Sequence, residues 1–531
     1  MNQPRVVPKF DFWSTREAPS VSFRDRIILV AIVSAGILAV MRLVDWWFRT
    51  EHIADPFFYI LLSLAFWYGM GRIMVGWFNY LGIRKPVRRE ALPGLTVAIF
   101  TTSSPGEPLA MFEKTLAACK RVRYPHITYL LDDTRDPRFR QLAGKHGAVW
   151  LELAGIPGAK AGKINKALSM TKEEFILVLD PDHVPFPDFL DRVLGYFQDE
   201  QVGFVQVCQA YYNQSRSFVA RAAAEQTYAF YGPILMGMFG HRSSLAIGAN
   251  CTFRRKALDS IGGHGIGLAE DMVTAVRLHA AGWQSVYDPV IVSRGLVPED
   301  LGSFFKQQLK WSRGVYEILF SELPVLWRSL RWRQRLSYFL LGTYYLSGPT
   351  TLIYLLIPYS YLWFGFQPAS MPFGQFLIMV GPVGLLGVVL YLAMQRWLCH
   401  PEIERGLHWR SLMLKIGCWP VYLLGTLLSI TRTNIPYIPT SKEAMQGQFL
   451  RLVWPHLTAL LLYLGTIAMV LYERLFVTPE EVLVVSTEAV WGMAAFATMT
   501  VALSGGVLYA AWKARSPSMG ASWDLVPDQS G

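Results

Sequence analysis

Two long apolar runs open the chain, residues 27–48 (IILVAIVSAGILAVMRLVDWWF) and 57–78 (FFYILLSLAFWYGMGRIMVGWF). Each is long enough to cross a hydrocarbon core of about 30 Å as a helix. From about residue 93 to 333 the pattern changes. Short aliphatic runs at 95–100, 127–131, 175–179 and 203–207 alternate with amphipathic stretches, which predicts strands spaced by helices. Their near-continuous apolar content predicts a mainly parallel sheet, covered on both faces by helices. Residues 336–364, 372–395, 452–473 and 484–512 are again apolar enough to span. The stretch 409–432 is ambiguous because Lys415 and Pro420 interrupt it. Laid along the membrane interface, it leaves six spans with both termini on one side.

Charge sets the orientation. Arg24 and Arg26 precede the first run, and Arg84, Lys85, Arg88 and Arg89 follow the second, whereas the link between them holds only Arg49, Glu51 and Asp55. Positive charge on the outer flanks places the N-terminus and the α/β domain in the cytoplasm. The first run is too long for a cleaved signal peptide, and no small-residue cleavage site follows it. The net charge of +11 gathers beside the apolar segments instead of forming a nucleic-acid stripe, and WRSLRWRQR (327–335) reads as an amphipathic strip at the membrane surface. Five cysteines, at 119, 208, 251, 399 and 418, lack metal-ligand spacing, and their odd number argues against a disulfide framework.

Two of the predicted strands end in paired acids, Asp132–Asp133 and Asp180-Pro181-Asp182. In parallel α/β sheets ligands bind beyond the carboxyl ends of the strands. Adjacent carboxylates are costly unless a cation or hydrogen-bond donors compensate, so one such pair reads as a turn, but two at equivalent strand ends favour a ligand. Oxygen ligands completed by phosphates suit Mg²⁺ or Mn²⁺ better than zinc. Farther on, four glycines within 262–267 give a loop able to pass close to a ligand, and Glu270 and Asp271 open the helix that follows. A helix dipole that keeps Asp271 ionised suits a general base. Gln307, Lys310, Trp311 and Arg313 crowd two helical turns, a grouping able to hold a sugar ring beside an anion.

In order along the chain, Glu107, LDD (131–133), KAGKINKAL (160–168), DPD (180–182), GAN with FRR (248–255), AED (269–271) and QQLKW (307–311) resemble the motifs of processive family-2 glycosyltransferases. The likeness is to the bacterial cellulose synthase and cellulose synthase-like group, and it extends to about residue 512. It implies a GT-A-type domain inserted between transmembrane helices. The expected division is a cytoplasmic segment 1–26, two spans in 27–78, the glycosyltransferase domain 84–333 and two spans in 336–395. An interfacial helix with a gating-loop-like segment (396–451), two spans in 452–512 and a short cytoplasmic tail (513–531) complete it.

The resemblance also implies roles. Asp133, with Asp132, Glu107, Lys160 and Asp180, would recognise a UDP-sugar, and Asp180 and Asp182 would hold Mg²⁺ (or Mn²⁺). Asp271, beside Glu270, would take the proton of the acceptor hydroxyl with inversion at the anomeric carbon. Gln307 and Trp311 would hold the acceptor, and Lys310 and Arg313 the diphosphate. YIPTSK (437–442) resembles the family's gating loop through Thr440 and Lys442. Three departures stand out: Ala269 replaces the family's Thr, Lys310 replaces an Arg, and Ser104-Pro105-Gly106 replaces Tyr-Asn before Glu107. Lys cannot make the bidentate phosphate contact of an Arg fork. After residue 512 the sequence carries no basic signature of a cyclic-di-GMP-binding module. The expected function is polymerisation of a β-linked polysaccharide from a UDP-sugar, with glucose favoured, and its extrusion across the bacterial inner membrane. The expected partners are the growing glycan, membrane lipids and an accessory export subunit, and no nucleic acid. The alternatives are single-sugar transfer to a lipid or glycan, and an inactive scaffold or transporter. Tyr344, Tyr345, Tyr354 and Trp363 are candidates for lining a glycan path.

Overall fold

The computed structural model describes residues 12–433, 449–477, 487–513 and 522–527. Its centre is a seven-stranded sheet of β1 (Val97–Thr102), β2 (Ile127–Asp132), β3 (Val149–Glu152), β4 (Phe175–Leu179), β5 (Val202–Val207), β6 (Cys251–Arg254) and β7 (Gln284–Asp288). The spatial order is β7-β5-β6-β4-β1-β2-β3. All neighbours are parallel except β6, which runs antiparallel between β4 and β5. Alternate residues serve the two faces. Ile99, Leu177 and Val205 enter one core cluster, and Phe100, Ile176, Val178 and Phe204 enter the other. Both faces are therefore buried, as the unbroken aliphatic strands require.

The reversed β6 matters for function. Cys251 pairs with Val178 of β4 and Gln206 of β5, so the loop before β6 arrives at the edge where β1, β2 and β4 deliver their carboxyl ends. A three-stranded patch of Val184–Pro185, Ser293–Gly295 and Ala210–Tyr211 covers the same edge. All five cysteines are buried and unpaired.

Among the described residues, six helices are long and apolar enough to cross a membrane: Phe23–Trp47, Pro56–Leu81, Trp332–Phe364, Phe373–Trp397, Arg451–Phe476 and Val490–Lys513. They flank the α/β domain, and the chain is a multi-pass membrane protein. The first is capped by Ser22, which exchanges hydrogen bonds with Asp25, and the second by Asp55 with Pro56 at its first position. Two short links meet at one end of the bundle, where Asp55 N–H donates to Gln367 O and Ser370 N–H to His52 O. At the opposite end Arg396 pairs with Asp25 at 2.6 Å. The third span is broken at Gly342, where a 3-10 turn (Tyr344–Leu346) leads into Ser347–Phe364.

The ambiguous stretch is two helices, Trp409–Gly417 and Trp419–Ile430, bent by 44°. Pro420 has no N–H to continue the first helix, so the break falls before it. Trp419–Ile430 packs on the helix Leu301–Glu317: Tyr422 OH donates to Gln308 Oε1 at 2.8 Å, and Tyr316 and Thr426 share a hydrogen bond of 2.8 Å. A Cβ on Gly425 would overlap Ser312 Oγ, so the crossing is tight.

Candidate active site

A cavity of about 590 Å³ opens at the carboxyl edge of the sheet and continues between the membrane helices. The acid pair after β4 faces it. Thr115 Oγ donates to Pro181 O at 2.6 Å and fixes the turn. Lys160, at the start of the helix Ala159–Met170, forms an ion pair of 2.5 Å with Asp180 and donates to Gly248 O. Asp182 is 2 % exposed and accepts the Leu296 N–H at 3.1 Å. His183 follows it with Nδ1 3.4 Å from Asp182 Oδ1, its ring against Gly295, and a buried Nε2 that has no partner.

One ligand atom from each of Asp180, Asp182 and His183 lies within 4.8 Å of the others. Two carboxylates and an imidazole, with an orphaned buried ring nitrogen among them, fit a divalent cation better than an uncompensated acid pair. The sequence reading missed His183, although it adjoins the second acid of the motif.

The acid pair after β2 has a different setting. Asp132 is 1 % exposed, and its carboxylate is filled from within. Oδ1 accepts Ser103 OH (2.5 Å), Thr134 N–H (3.0 Å) and Thr134 OH (2.8 Å), and Oδ2 accepts Trp150 Nε1–H (2.9 Å). Asp132, expected at the donor, is engaged within the loop, and neither it nor Asp133 lines the cavity. Asp133 accepts Gly155 N–H at 3.1 Å and lies 3.4 Å from Lys163 Nζ. Lys163, also missed in the sequence, is 2 % exposed and donates to Ser103 O at 2.5 Å, clamping both strand-end loops. Burial lowers its pKa against the raising effect of Asp133. Glu107 lines the cavity and accepts Ser104 N–H at 2.8 Å.

Opposite the metal-type cluster, Glu270 and Asp271 begin the helix Glu270–Ala280, and both line the cavity. Gly248 lies against Asp271: its φ of +67° is left-handed, and a Cβ there would stand 3.2 Å from Asp271 Oδ2. Burial and the neighbouring Glu270 push the Asp271 pKa up to about 7, against the opposing charges of Lys160 and Lys310. The dipole does not keep this acid at an ordinary carboxylate value, because removal from water outweighs it. A carboxylate held near neutrality is suited to taking a proton.

The glycine loop takes another post than expected. It does not line the cavity but packs on Asn165, whose side chain donates to His264 O (2.8 Å) and accepts His264 N–H (2.7 Å). The departure at Ala269 has a steric cause: a Cβ on Gly314 would stand 2.6 Å from the Ala269 Cβ, so that crossing has no space for a branched residue.

Helical periodicity divides Leu301–Glu317 into two faces. Gln307, Lys310 and Trp311 line the cavity, and Trp311 is 37 % exposed. Gln308, Ser312 and Tyr316 are buried against Trp419–Ile430. Arg313 belongs to neither. Its guanidinium, expected at the diphosphate, donates to Ser429 Oγ (2.6 Å) and Thr433 O (2.8 Å) and does not line the cavity. Thr440 and Lys442 lie outside the described residues. Arg72, Tyr80, Tyr344, Tyr345 and Lys415 carry the cavity wall into the membrane helices. Tyr354 and Trp363 are engaged elsewhere, Tyr354 on Phe496 and Trp363 donating to Thr466.

Residues 175–377 match the family described as Glycosyl transferase family group 2. The chain is 28% identical over 362 residues to the cellulose synthase catalytic subunit [UDP-forming] of Pseudomonas fluorescens (strain SBW25), covering 64% of this chain and 48% of that protein. The likeness is to family-2 glycosyltransferases of the cellulose synthase type. The chain is also 29% identical over 324 residues to the cellulose synthase catalytic subunit [UDP-forming] of Komagataeibacter sucrofermentans (58% of this chain, 42% of that one). With cellulose synthase 1 of Komagataeibacter xylinus it shares 27% over 428 residues (76% and 27%). It thus spans about half or less of the length of these relatives. A mannosyltransferase from Pyrobaculum calidifontis, solved with GDP-Man and Mn²⁺, aligns over 71% of this chain and all of its own, at a TM-score of 0.47 and 16% identity.

Proposed function

We propose that this glycosyltransferase is an inverting, processive synthase that builds a β-linked polysaccharide from a UDP-sugar and passes it through the membrane. The observation that carries this reading is the continuity of one cavity. It runs from Lys160, Asp180 and Asp182, past Asp271 and Trp311, to Tyr80, Tyr344 and Lys415. A single transfer to a small acceptor has no use for a wall that continues into the bilayer, whereas a polar glycan needs a protein-lined path through it.

Glu107, Asp133 and Lys160 bind the nucleotide end of the donor, and Lys310 faces the diphosphate. Asp180, Asp182 and His183 would hold Mg²⁺ or Mn²⁺, which would supply Lewis-acid stabilisation of the departing diphosphate. Asp271 takes the proton of the acceptor hydroxyl while its oxygen bonds to the anomeric carbon. The bond from that carbon to the diphosphate oxygen breaks, and UDP leaves with the electron pair. Trp311 stacks under the acceptor sugar and Gln307 orients it, so the reacting atoms meet in line. Glucose is the favoured sugar because the UDP-forming cellulose synthases above are the relatives at hand. The α/β domain and both termini are cytoplasmic at a bacterial inner membrane, on the charge flanks of the first two spans. An export subunit is an expected partner.

The test is UDP release and polymer formation by the purified, reconstituted protein with Mg²⁺ or Mn²⁺ and a panel of nucleotide sugars. Linkage-specific glycosidases identify the product. A long polymer from one donor, lost in Asp271→Asn, is the expected result. Products limited to one added sugar would overturn processivity.

A further inference from the structure

A second cavity, of about 240 Å³, lies where three candidate spans meet the α/β domain and shares only Phe78 of its lining with the cavity above. Arg26 comes from the first turn of Phe23–Trp47, Phe78 and Arg84 from the end of Pro56–Leu81 and just beyond it, and Trp332 and Arg333 from the start of the third span. His241, which caps the helix Leu235–Gly240, forms the inner wall. Close backbone approach builds the site: a Cβ on Gly82 would stand 2.5 Å from His241 Nε2, and one on Gly240 would overlap the Gly82 carbonyl oxygen.

The chemistry of this cavity is one-sided. Three guanidinium groups line it with no carboxylate among the lining residues, and among the described residues none of the three forms an ion pair. His241 is 6 % exposed and stacks on Phe78 with ring centroids 4.0 Å apart. Its Nε2–H donates to Phe78 O at 2.8 Å, which makes Nδ1 the lone-pair nitrogen, and that buried Nδ1 has no partner. A ligand that satisfies the wall therefore brings anionic oxygen for the arginines and a neutral hydroxyl donor for Nδ1. An ammonium would meet three like charges. Beside the cavity, Phe23, Leu81 and Trp332 are exposed apolar groups at the level where the spans begin.

We propose that this cavity binds the headgroup of an anionic glycerophospholipid of the phosphatidylglycerol type. Its phosphate lies on Arg26, Arg84 and Arg333, and a glycerol hydroxyl donates to His241 Nδ1. Basic pockets among helix ends on the cytoplasmic side recognise such headgroups, and each arginine near the surface contributes about fivefold in affinity. Trp332 and Leu81 receive the acyl chains. The inference rests on the membrane reading alone and is independent of the sugar transferred.

The test uses the full chain in nanodiscs of phosphatidylcholine with a minority of phosphatidylglycerol, with bound lipid counted by native mass spectrometry. R84Q/R333Q changes two exposed side chains outside the catalytic cavity, and should retain phosphatidylglycerol roughly 25-fold less well. Phosphatidylmethanol keeps the anionic diester and lacks the hydroxyls, so it should bind wild type several-fold more weakly than phosphatidylglycerol. H241F should erase that difference. Unchanged phosphatidylglycerol retention in the folded double variant would overturn the site. Displacement of the lipid by millimolar inorganic phosphate would overturn the lipid assignment in favour of a soluble anion.

Discussion

The strand ends after β2 and β4 carry the same signature, an aliphatic run followed by two acids, yet the structure uses them in opposite ways. At Asp132 the protein supplies four donors from Ser103, Thr134 and Trp150. At Asp180 and Asp182 it supplies a lysine, one backbone N–H and a histidine with a bare buried nitrogen. A buried carboxylate closed off by neutral donors is a joint, and one that lines a cavity beside a buried imidazole nitrogen without a partner fits a cation. The difference lies in the groups that surround the acids, some adjacent in sequence (Thr134, His183) and some distant (Ser103, Trp150, Lys160, Leu296), not in the acids themselves.

The strongest way to break the comparison is to neutralise one acid on each side. Asp182→Asn keeps shape and removes a charge from the proposed cation site, so transfer should fall on the order of 10³-fold while the melting temperature changes little. Enzymatic turnover across a Mn²⁺ titration, with calorimetry alongside, checks this. Asp132→Ala should behave in the reverse manner. It orphans the indole, two hydroxyls and a backbone N–H in a closed setting, and should cost about 3 kcal/mol of stability. The folded fraction should keep much of its turnover. Normal stability in Asp132→Ala would mean that the β2 loop is held by something other than its carboxylate.

Periodicity and alternation made the strands, their carboxyl ends and the membrane segments legible, because burial on two sheet faces and crossing of a bilayer both leave long apolar runs. The local signals separating Asp132 from Asp182, Thr134 after the one and His183 after the other, are common residues, and Ser103 and Trp150 reach Asp132 only through the fold. The glycine loop at 262–267 misled for a related reason: Asn165 takes its close approach instead of a ligand. Tyr80 and Lys415 join the cavity only because the spans fold around the domain, and single segments carry no sign of that.

Ala269 sharpens the contrast between positions fixed by packing and positions fixed by chemistry. Ala269→Thr restores the residue usual in the family, but Gly314 crosses directly over it. Overpacking should cost about 2 kcal/mol and displace Glu270 and Asp271 enough to lower turnover. A gain in activity would mean that the helix Leu301–Glu317 yields easily. Asp271 supplies a milder probe, because it must be deprotonated to accept a proton and its pKa is pushed up to about 7. The profile of kcat/KM should therefore rise about tenfold per pH unit below 7 and level off above it. A profile flat down to pH 5 would remove Asp271 from the role of base.

The smallest expected effect concerns the two cations one turn apart on one helix. Lys310 points into the cavity, whereas Arg313 is spent on Ser429 and Thr433 at the base of Trp419–Ile430. Arg313→Gln should cost about 1 kcal/mol of stability and change the KM for the nucleotide sugar by less than about threefold. Lys310→Gln should raise that KM markedly, because it removes a charge from the diphosphate side of the site. An equal rise in both variants would mean that Arg313 leaves Ser429 when the donor binds, and that Trp419–Ile430 moves with donor binding.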